Sequence, residues 1–297
     1  MKTFIRLQLL FCHLILITTC TILKCKYKSD IVWQSYSCEV TEWNEENGNY
    51  ARISSIEGQH FPDYTNSDVQ SLRIENTDKI EHLTNDVFTK FKNLRYLVIH
   101  STTLRFLLRG DFILAKSLMN VHITHNAITV LEDYCFHGAD MLKTLNLREN
   151  RIRDVSENAF KGLTTLKFLT LTANEIDSLH TTTFNDQIYL EQLSLSSNRI
   201  RHIDERLLSK NRNLEVLFLD NNQLTSINGR MFDNNLKLRE IYMDNNHIKH
   251  IENVQHFLVN LKSLEVAVFS NNKCVDLMLF IMNRLHPIYS EVFQGCS

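Results

Sequence analysis

LKTLNLRENRI (Leu142–Ile152), LKFLTLTANEI (Leu166–Ile176), LEQLSLSSNRI (Leu190–Ile200) and LEVLFLDNNQL (Leu214–Leu224) are versions of one phrase, repeated at constant spacing. Working outward, LMNVHITHNAI (Leu118–Ile128) and LRYLVIHSTTL (Leu94–Leu104) precede them, and LREIYMDNNHI (Leu238–Ile248) follows at the same spacing. LEVAVFSNNKC begins at Leu264, slightly late, and a degenerate first copy runs from Val69 through Leu72, Ile74 and Ile80. A second column keeps the register: Phe88, Phe112, Phe136, Phe160, Phe184, Leu208 and Phe232. Two independent apolar columns with one period mark a chain built by stacking a single supersecondary unit.

Within each phrase the L-x-L core reads as a short strand whose leucines point inward and whose intervening residues point outward. No one copy can bury its own leucines, so neighbours must stack. The pattern L-x-x-L-x-L-x-x-N-x-L resembles the leucine-rich repeat, and the 24-residue unit with its Phe resembles the class found in extracellular receptors such as Toll-like ectodomains. The resemblance covers Val69 to Cys274, about two thirds of the chain. It implies an α/β repeat fold: a horseshoe-shaped solenoid with one parallel β-sheet on its concave side and disulfide-closed caps at its ends. It also implies a role for Asn126, Asn150, Asn174, Asn198, Asn222, Asn246 and Asn272, which stand at the turn after each strand. In the family this side chain hydrogen-bonds the backbone of adjacent loops, where unpaired groups would cost about 1–3 kcal/mol each. Thr77 and Thr102 hold the position in the first two copies, where the ladder should be weaker.

The ends carry different signals. Lys2 and Arg6, the apolar run Leu9–Ile17 and the small residues Thr18, Thr19 and Cys20 read as a secretory leader. The run is well short of the roughly 20 residues a membrane span needs. The expected organisation is a signal peptide over 1–20, an N-terminal cap over 21–68, about eight repeats over 69–263, and a last strand with a C-terminal cap over 264–297. Cleavage near Cys20 leaves Cys25, Cys38, Cys135, Cys274 and Cys296, an odd number in an oxidising compartment. Cys25 and Cys38 flank Trp33, and a bond between them would close a hairpin. Cys274 and Cys296 bracket LMLFIMNRL, read as a short helix laid over the last repeat. Cys135 stands before Phe136 as Ala159 stands before Phe160, a position that suits a small buried side chain; the alternative is an intermolecular disulfide.

A formal charge of −2 excludes a globally basic nucleic-acid binder. The sequence contains no H-E-x-x-H, C-x-x-C, G-x-S-x-G, P-loop or G-x-G-x-x-G, so no catalytic, cofactor or metal site is expected, and the chain reads as a non-enzyme. His122 and His125, three apart on a strand, should turn to opposite faces. No Asn lies in an N-x-[ST] sequon, which leaves the surface unshielded by N-glycans. The outward strand positions are unevenly furnished. Arg73, Arg95, His100, His122 and Arg148 fall in the early half and small polar residues in the middle. The late half gathers Val216, Phe218, Tyr242, Val266 and Val268, edged by Glu215, Asp220, Glu240 and Asp244. Apolar clusters rimmed by charge mark interaction sites, and aromatic anchors dominate interface energy. Val216, Phe218, Asp220, Tyr242, Asp244, Val266 and Val268 are therefore the candidate partner-binding residues.

The function expected is protein–protein recognition by a secreted, extracellular chain acting as a monomer or non-covalent assembly. The chain resembles the short members of the insect leucine-rich immune proteins, whose long members add a C-terminal coiled coil and cysteines for dimerisation; neither is found before Ser297. That resemblance implies innate-immune recognition in body fluid. The same solenoid serves adhesion or guidance factors and inhibitors of secreted enzymes, so the fold alone does not choose among them.

Overall fold

A computed structural model of the chain describes residues 20–45, 52–78, 80–254, 260–275, 278–280 and 296. The expected leader lies outside these residues except for Cys20. The strands in chain order are β1 (Cys20–Asp30), β2 (Ser35–Glu45), β3 (Arg52–Glu57), β4 (Ser71–Thr77), β5 (Tyr96–Thr102), β6 (Asn120–Thr124) and β7 (Val130–Leu131). There follow β8 (Thr144–Asn146), β9 (Asp154–Val155), β10 (Phe168–Thr170), β11 (Gln192–Ser194), β12 (Val216–Phe218) and β13 (Ser226–Asn228). The last four are β14 (Glu240–Tyr242), β15 (His250–Glu252), β16 (Val266–Val268) and β17 (Met278–Phe280). Thirteen of them form one sheet in the order β17-β16-β14-β12-β11-β10-β8-β6-β5-β4-β2-β1-β3. From β2 to β16 the neighbours are parallel, and in the repeats each residue faces its equivalent one unit away, as in Phe168↔Gln192 and Phe218↔Tyr242. The solenoid is the one the period predicts.

Outside the main sheet there is little regular helix: α1 (Asp86–Lys90), short 3₁₀ segments at Asn66–Asp68 and Gly229–Phe232, helical residues at Val254 and Asn260, and otherwise turns and the short strand pairs β7–β9 and β13–β15 among the described residues. A repeat this short, which must return from one strand to the next, has room for turns in place of a full crossover helix. Behind the sheet the phenylalanine column forms a spine, with ring centroids of successive members from Phe88 to Phe184 at 5.3–6.1 Å. Leu208 ends the stack of rings while remaining buried.

The Asn column is buried and doubly committed. Asn174 Nδ2 donates to Leu147 O of the preceding unit (3.1 Å) and Leu171 O of its own (2.9 Å), while its Oδ1 accepts Ile152 N (3.0 Å). Asn198, Asn222 and Asn246 repeat this arrangement. Half-buried Asn272 does so at the end, bonding Met243 O, Phe269 O and Ile248 N. Asn150 bonds Ile123 O, Leu147 O and Ile128 N, and Asn126 bonds Ile99 O and Thr102 N. At the early end Thr102 Oγ1 donates to Asn126 Oδ1 at 2.6 Å, so the threonine is a client of the ladder. A second ladder, not read from the sequence, lies away from the sheet. Gln187, Asn211 and Asn235 recur with the same period and are fully buried. They donate to carbonyls of the preceding units such as Phe160 O, Phe184 O and Leu208 O.

The residue before each ladder position lies in the left-handed region: Asn76, Ser101, His125, Glu149, Ala173, Ser197, Asn221, Asn245 and Asn271 have φ between 51° and 57°. A side chain with a Cβ pays for that conformation by roughly 1–2 kcal/mol, and Asn bears it best. Only the first and the last three positions hold Asn. Ala173→Asn should therefore raise the thermal midpoint, by about 0.5–1 kcal/mol of stability, and the β-branched Ala173→Val should lower it. Equal midpoints for the two variants would contradict the assignment of strain to this turn.

The ends are closed by disulfides. Cys25 and Cys38 join β1 to β2, and Cys274 joins Cys296. The sequence reading of LMLFIMNRL as a helix is corrected over Met278–Phe280, which forms β17 and pairs antiparallel with β16; an exposed edge of an otherwise parallel sheet is more readily completed by a returning strand than left with open hydrogen-bonding groups. Most of that segment lies outside the described residues. Cys135 is a free thiol with no exposure, its Sγ 3.7 Å from Ala159 O, and burial pushes its pKa up. It should resist alkylation in the native protein, and a non-reducing gel should show no dimer. A reducible dimer band would overturn this and implicate Cys135.

Candidate concave-face interface

The late half of the concave sheet brings together most of the residues expected there. Phe218 and Tyr242 occupy matching positions on β12 and β14, with centroids 4.8 Å apart and planes 12° from parallel. Both are half-buried, as are Val216 and Val266. Val268 is a correction: on β16, flanked by β14 and β17, it is only 5% exposed and is withdrawn from the contact surface. Tyr242 Oη donates to Glu240 Oε2 at 2.9 Å, which holds the ring over the sheet. Asp220 accepts from Ser196 Oγ (2.5 Å) and Asn221 Nδ2 (2.7 Å), and Asp244 accepts from Asn245 Nδ2 (2.6 Å).

Charge on this half is one-sided. Among the described residues no ion pair reaches Glu215, Asp220, Glu240 or Asp244. Arg239 feels Glu215 and Glu240 but is held by Glu265 through two bonds of 3.0 Å. Burial, reinforced by the neighbouring Asp220 charge, raises the pKa of Asp244. An aromatic pair beside carboxylates of this kind suits a guanidinium or ammonium group, which would gain both charge pairing and contact with a ring face.

The early half is furnished differently, in a way the sequence reading missed. The β1–β2 hairpin folds its turn over the concave face, and Trp33 stacks on Tyr96 at 4.6 Å and 6°, with His122 at 6.0 Å. Arg73 lies 4.8 Å from the Trp33 ring centre and pairs with Asp30 (3.0 Å) and Glu75 (3.2 Å). Arg148 is likewise paired with Glu149, which also meets His125. Two of the three early arginines are thus satisfied internally, whereas the late carboxylates have no partner of opposite charge among the described residues. The opposite facing expected of His122 and His125 is corrected. His125 lies beyond the end of β6 in the left-handed turn, where strand alternation no longer holds, and it meets His100 of the outward face edge to face at 4.7 Å. Phe168, in the middle of the face, is 38% exposed. Its signal, an aromatic at an outward position of β10, was legible but stood alone. Among the described residues no three His, Cys, Asp or Glu side chains gather as a metal ion requires, and no helix is long and apolar enough to cross a membrane.

His122 gives this half a pH dependence. Burial, and secondarily the Arg73 charge, hold its pKa below the usual histidine value. The unfolded chain, with an ordinary value of about 6.5, therefore binds more protons than the folded one. This contribution to stability is complete above the unfolded value and is lost as pH falls through it toward the folded value. The thermal midpoint of the parent should drop more between neutral pH and mild acid than that of His122→Gln. Parallel pH curves would contradict it.

A family model described as leucine rich repeat matches residues 116–176, 165–224, 188–248 and 212–272, more than half of the chain in all. No curated protein matches the sequence. Among solved structures, a chain of the Drosophila Toll–Spatzle complex, described as a hub in development and innate immunity, is 27% identical with a TM-score of 0.65. The alignment covers 70% of this chain and 27% of that one. A leucine-rich-repeat protein of Leptospira interrogans is 23% identical with a TM-score of 0.62, over 71% of this chain and 57% of that one. A chain of a complex of Latrophilin 3, Unc5D and the repeat domain of FLRT2 is 22% identical with a TM-score of 0.53, over 69% and 68%. This chain thus spans about a quarter of the length of the Toll-complex chain it matches.

Proposed function

Because the chain belongs to the leucine-rich-repeat family, we propose that it is an extracellular recognition protein whose late concave half binds a protein partner through Val216, Phe218, Asp220, Tyr242, Asp244 and Val266. The observation that carries this reading is the stacked Phe218–Tyr242 pair beside four carboxylates that have no ion-pair partner among the described residues. Outward strand positions add little to a solenoid's core, so an aromatic pair there is better explained by a contact surface than by folding. The partner carries basic side chains around an apolar patch. The role is recognition without catalysis, and innate immunity is its proposed setting; the 27% identity with a chain of the Toll–Spatzle complex supports that setting. Secretion is supported by the leader-like segment over 1–20 and by the two disulfides.

The test is affinity capture with four baits: parent, Phe218→Ala, Tyr242→Ala and Thr170→Ala. Each is presented to body fluid and, separately, to detergent extract of cell surfaces. A species from body fluid held by the parent and Thr170→Ala and lost from both aromatic variants is the expected result. Recovery from cell surfaces alone would replace the immune setting with adhesion or guidance. Equal recovery by all four baits would place the contact elsewhere.

A further inference from the structure

The most exposed large apolar side chains among the described residues are neighbours: Ile31 at 92% and Val32 at 75%, at the tip of the β1–β2 hairpin. Their exposure is built in. Buried Asp30 caps the turn by accepting Val32 N (2.9 Å) and Trp33 N (3.2 Å), and pairs with Arg73 through its other oxygen. Trp33 then clamps the turn onto Tyr96 with Arg73 against its ring. A turn held this firmly presents two aliphatic side chains at little entropic cost on binding, which is how an interface anchor is preorganised.

A bilayer is a poor occupant. Ile and Val together offer seven side-chain carbons, about half of a myristoyl chain, which by itself anchors only marginally. Trp33, which would suit a lipid interface, is turned down onto the protein.

The same face carries the complement of this tip at its other end. At this end of the sheet, exposed Arg95, beside Tyr96 under the clamp, and exposed Lys26, farther back on β1 in register with Glu39, have no ion-pair partner among the described residues. Across the face stand the half-buried rings of Phe218 and Tyr242 with carboxylates that have no ion pair among the described residues. Six neighbouring strands, β5 to β12, run from one end to the other, about 24 Å at the usual strand spacing. We infer that the occupant is a second copy of this chain: two protomers meet concave face to concave face about a two-fold axis, each seating Ile31 and Val32 on the partner's Phe218–Tyr242 patch. A two-fold interface brings the apolar, basic end of one copy onto the aromatic, acidic end of the other, twice over, and closes at two. This rests on the reading of the late patch as a contact surface. It adds that self-association and capture of an outside partner compete for that patch.

Sedimentation velocity on the full folded chain tests it. The parent should show a monomer–dimer equilibrium that weakens as salt is raised, because the charges face each other across the interface. Ile31→Asp and, separately, Tyr242→Ala should each raise the dimer dissociation constant at least about tenfold. Mixing the two variants should recover a heterodimer tighter than either homodimer, since one intact tip then meets one intact patch; this recovery also shows that both variants are folded. A parent that stays monomeric, chains that grow past the dimer, or a mixture no tighter than its components would overturn the inference. A monomeric parent whose outside partner is still lost on Phe218→Ala would overturn the dimer alone and leave the proposed function standing.

Discussion

Asn174→Ala should lower the free energy of unfolding by about 3–5 kcal/mol, against about 1 kcal/mol for Thr102→Ala. The Asn174 amide satisfies two buried carbonyls, Leu147 O and Leu171 O, and one buried N–H, that of Ile152, across two adjacent units. Alanine at this position leaves all three inside a stack that closes over them, and each orphaned group costs about 1–3 kcal/mol, less than additively. Thr102 is different. Its hydroxyl donates to Asn126 Oδ1 and accepts only one backbone N–H, that of Leu104, in a long bond of 3.3 Å, while its own backbone N–H bonds Asn126 Oδ1 at 3.1 Å and survives the substitution. Denaturant unfolding of the two variants beside the parent gives the comparison. Equal losses would mean that the ladder is not what joins the turns.

Phe218→Ala or Tyr242→Ala should each cost about 2 kcal/mol or more in partner binding, roughly a 30-fold weaker Kd. From the sequence alone, outward strand positions suggest that stability would scarcely change. The structure modifies this: the two rings are half-buried and stacked on each other at 4.8 Å, so either substitution should also remove about 1 kcal/mol of stability. The binding loss must exceed that figure to be assigned to the interface. Asp220→Asn should act mainly on the rate of association and on its salt dependence, because its carboxylate steers a basic partner. Thr170→Ala, on β10 in the polar middle of the face, should change neither.

The fold was legible because its determinants are periodic. Leucines, phenylalanines and asparagines recur with one shared period, and each column has a single place to go in a stack. What escaped were features set by geometry between units. The second amide ladder changes residue type from Gln187 to Asn211 and sits at loop positions where Asn is ordinary. The left-handed turn residue is Ser, His, Glu, Ala or Asn by turns, so no residue type announces it. Trp33 lies outside the period altogether, and only the register of β1 on β2 and β2 on β4 brings it over Tyr96. Val268 was placed in its correct column, yet the strand that lies beside it comes from the tail of the chain, which carries no repeat pattern. Of the candidate site, the sequence thus yielded the column positions, while burial and the distribution of paired and unpaired charge came from the fold.

Recognition through the late half of the concave sheet is tested most directly by cross-linking, once a partner has been captured. A photoreactive phenylalanine analogue is placed at position 242 and, separately, at position 236, where Leu236 is 54% exposed in a loop outside the sheet. Cross-linking to the partner from position 242 with none from position 236 is the predicted result. Efficient cross-linking from position 236 with none from position 242 would contradict it.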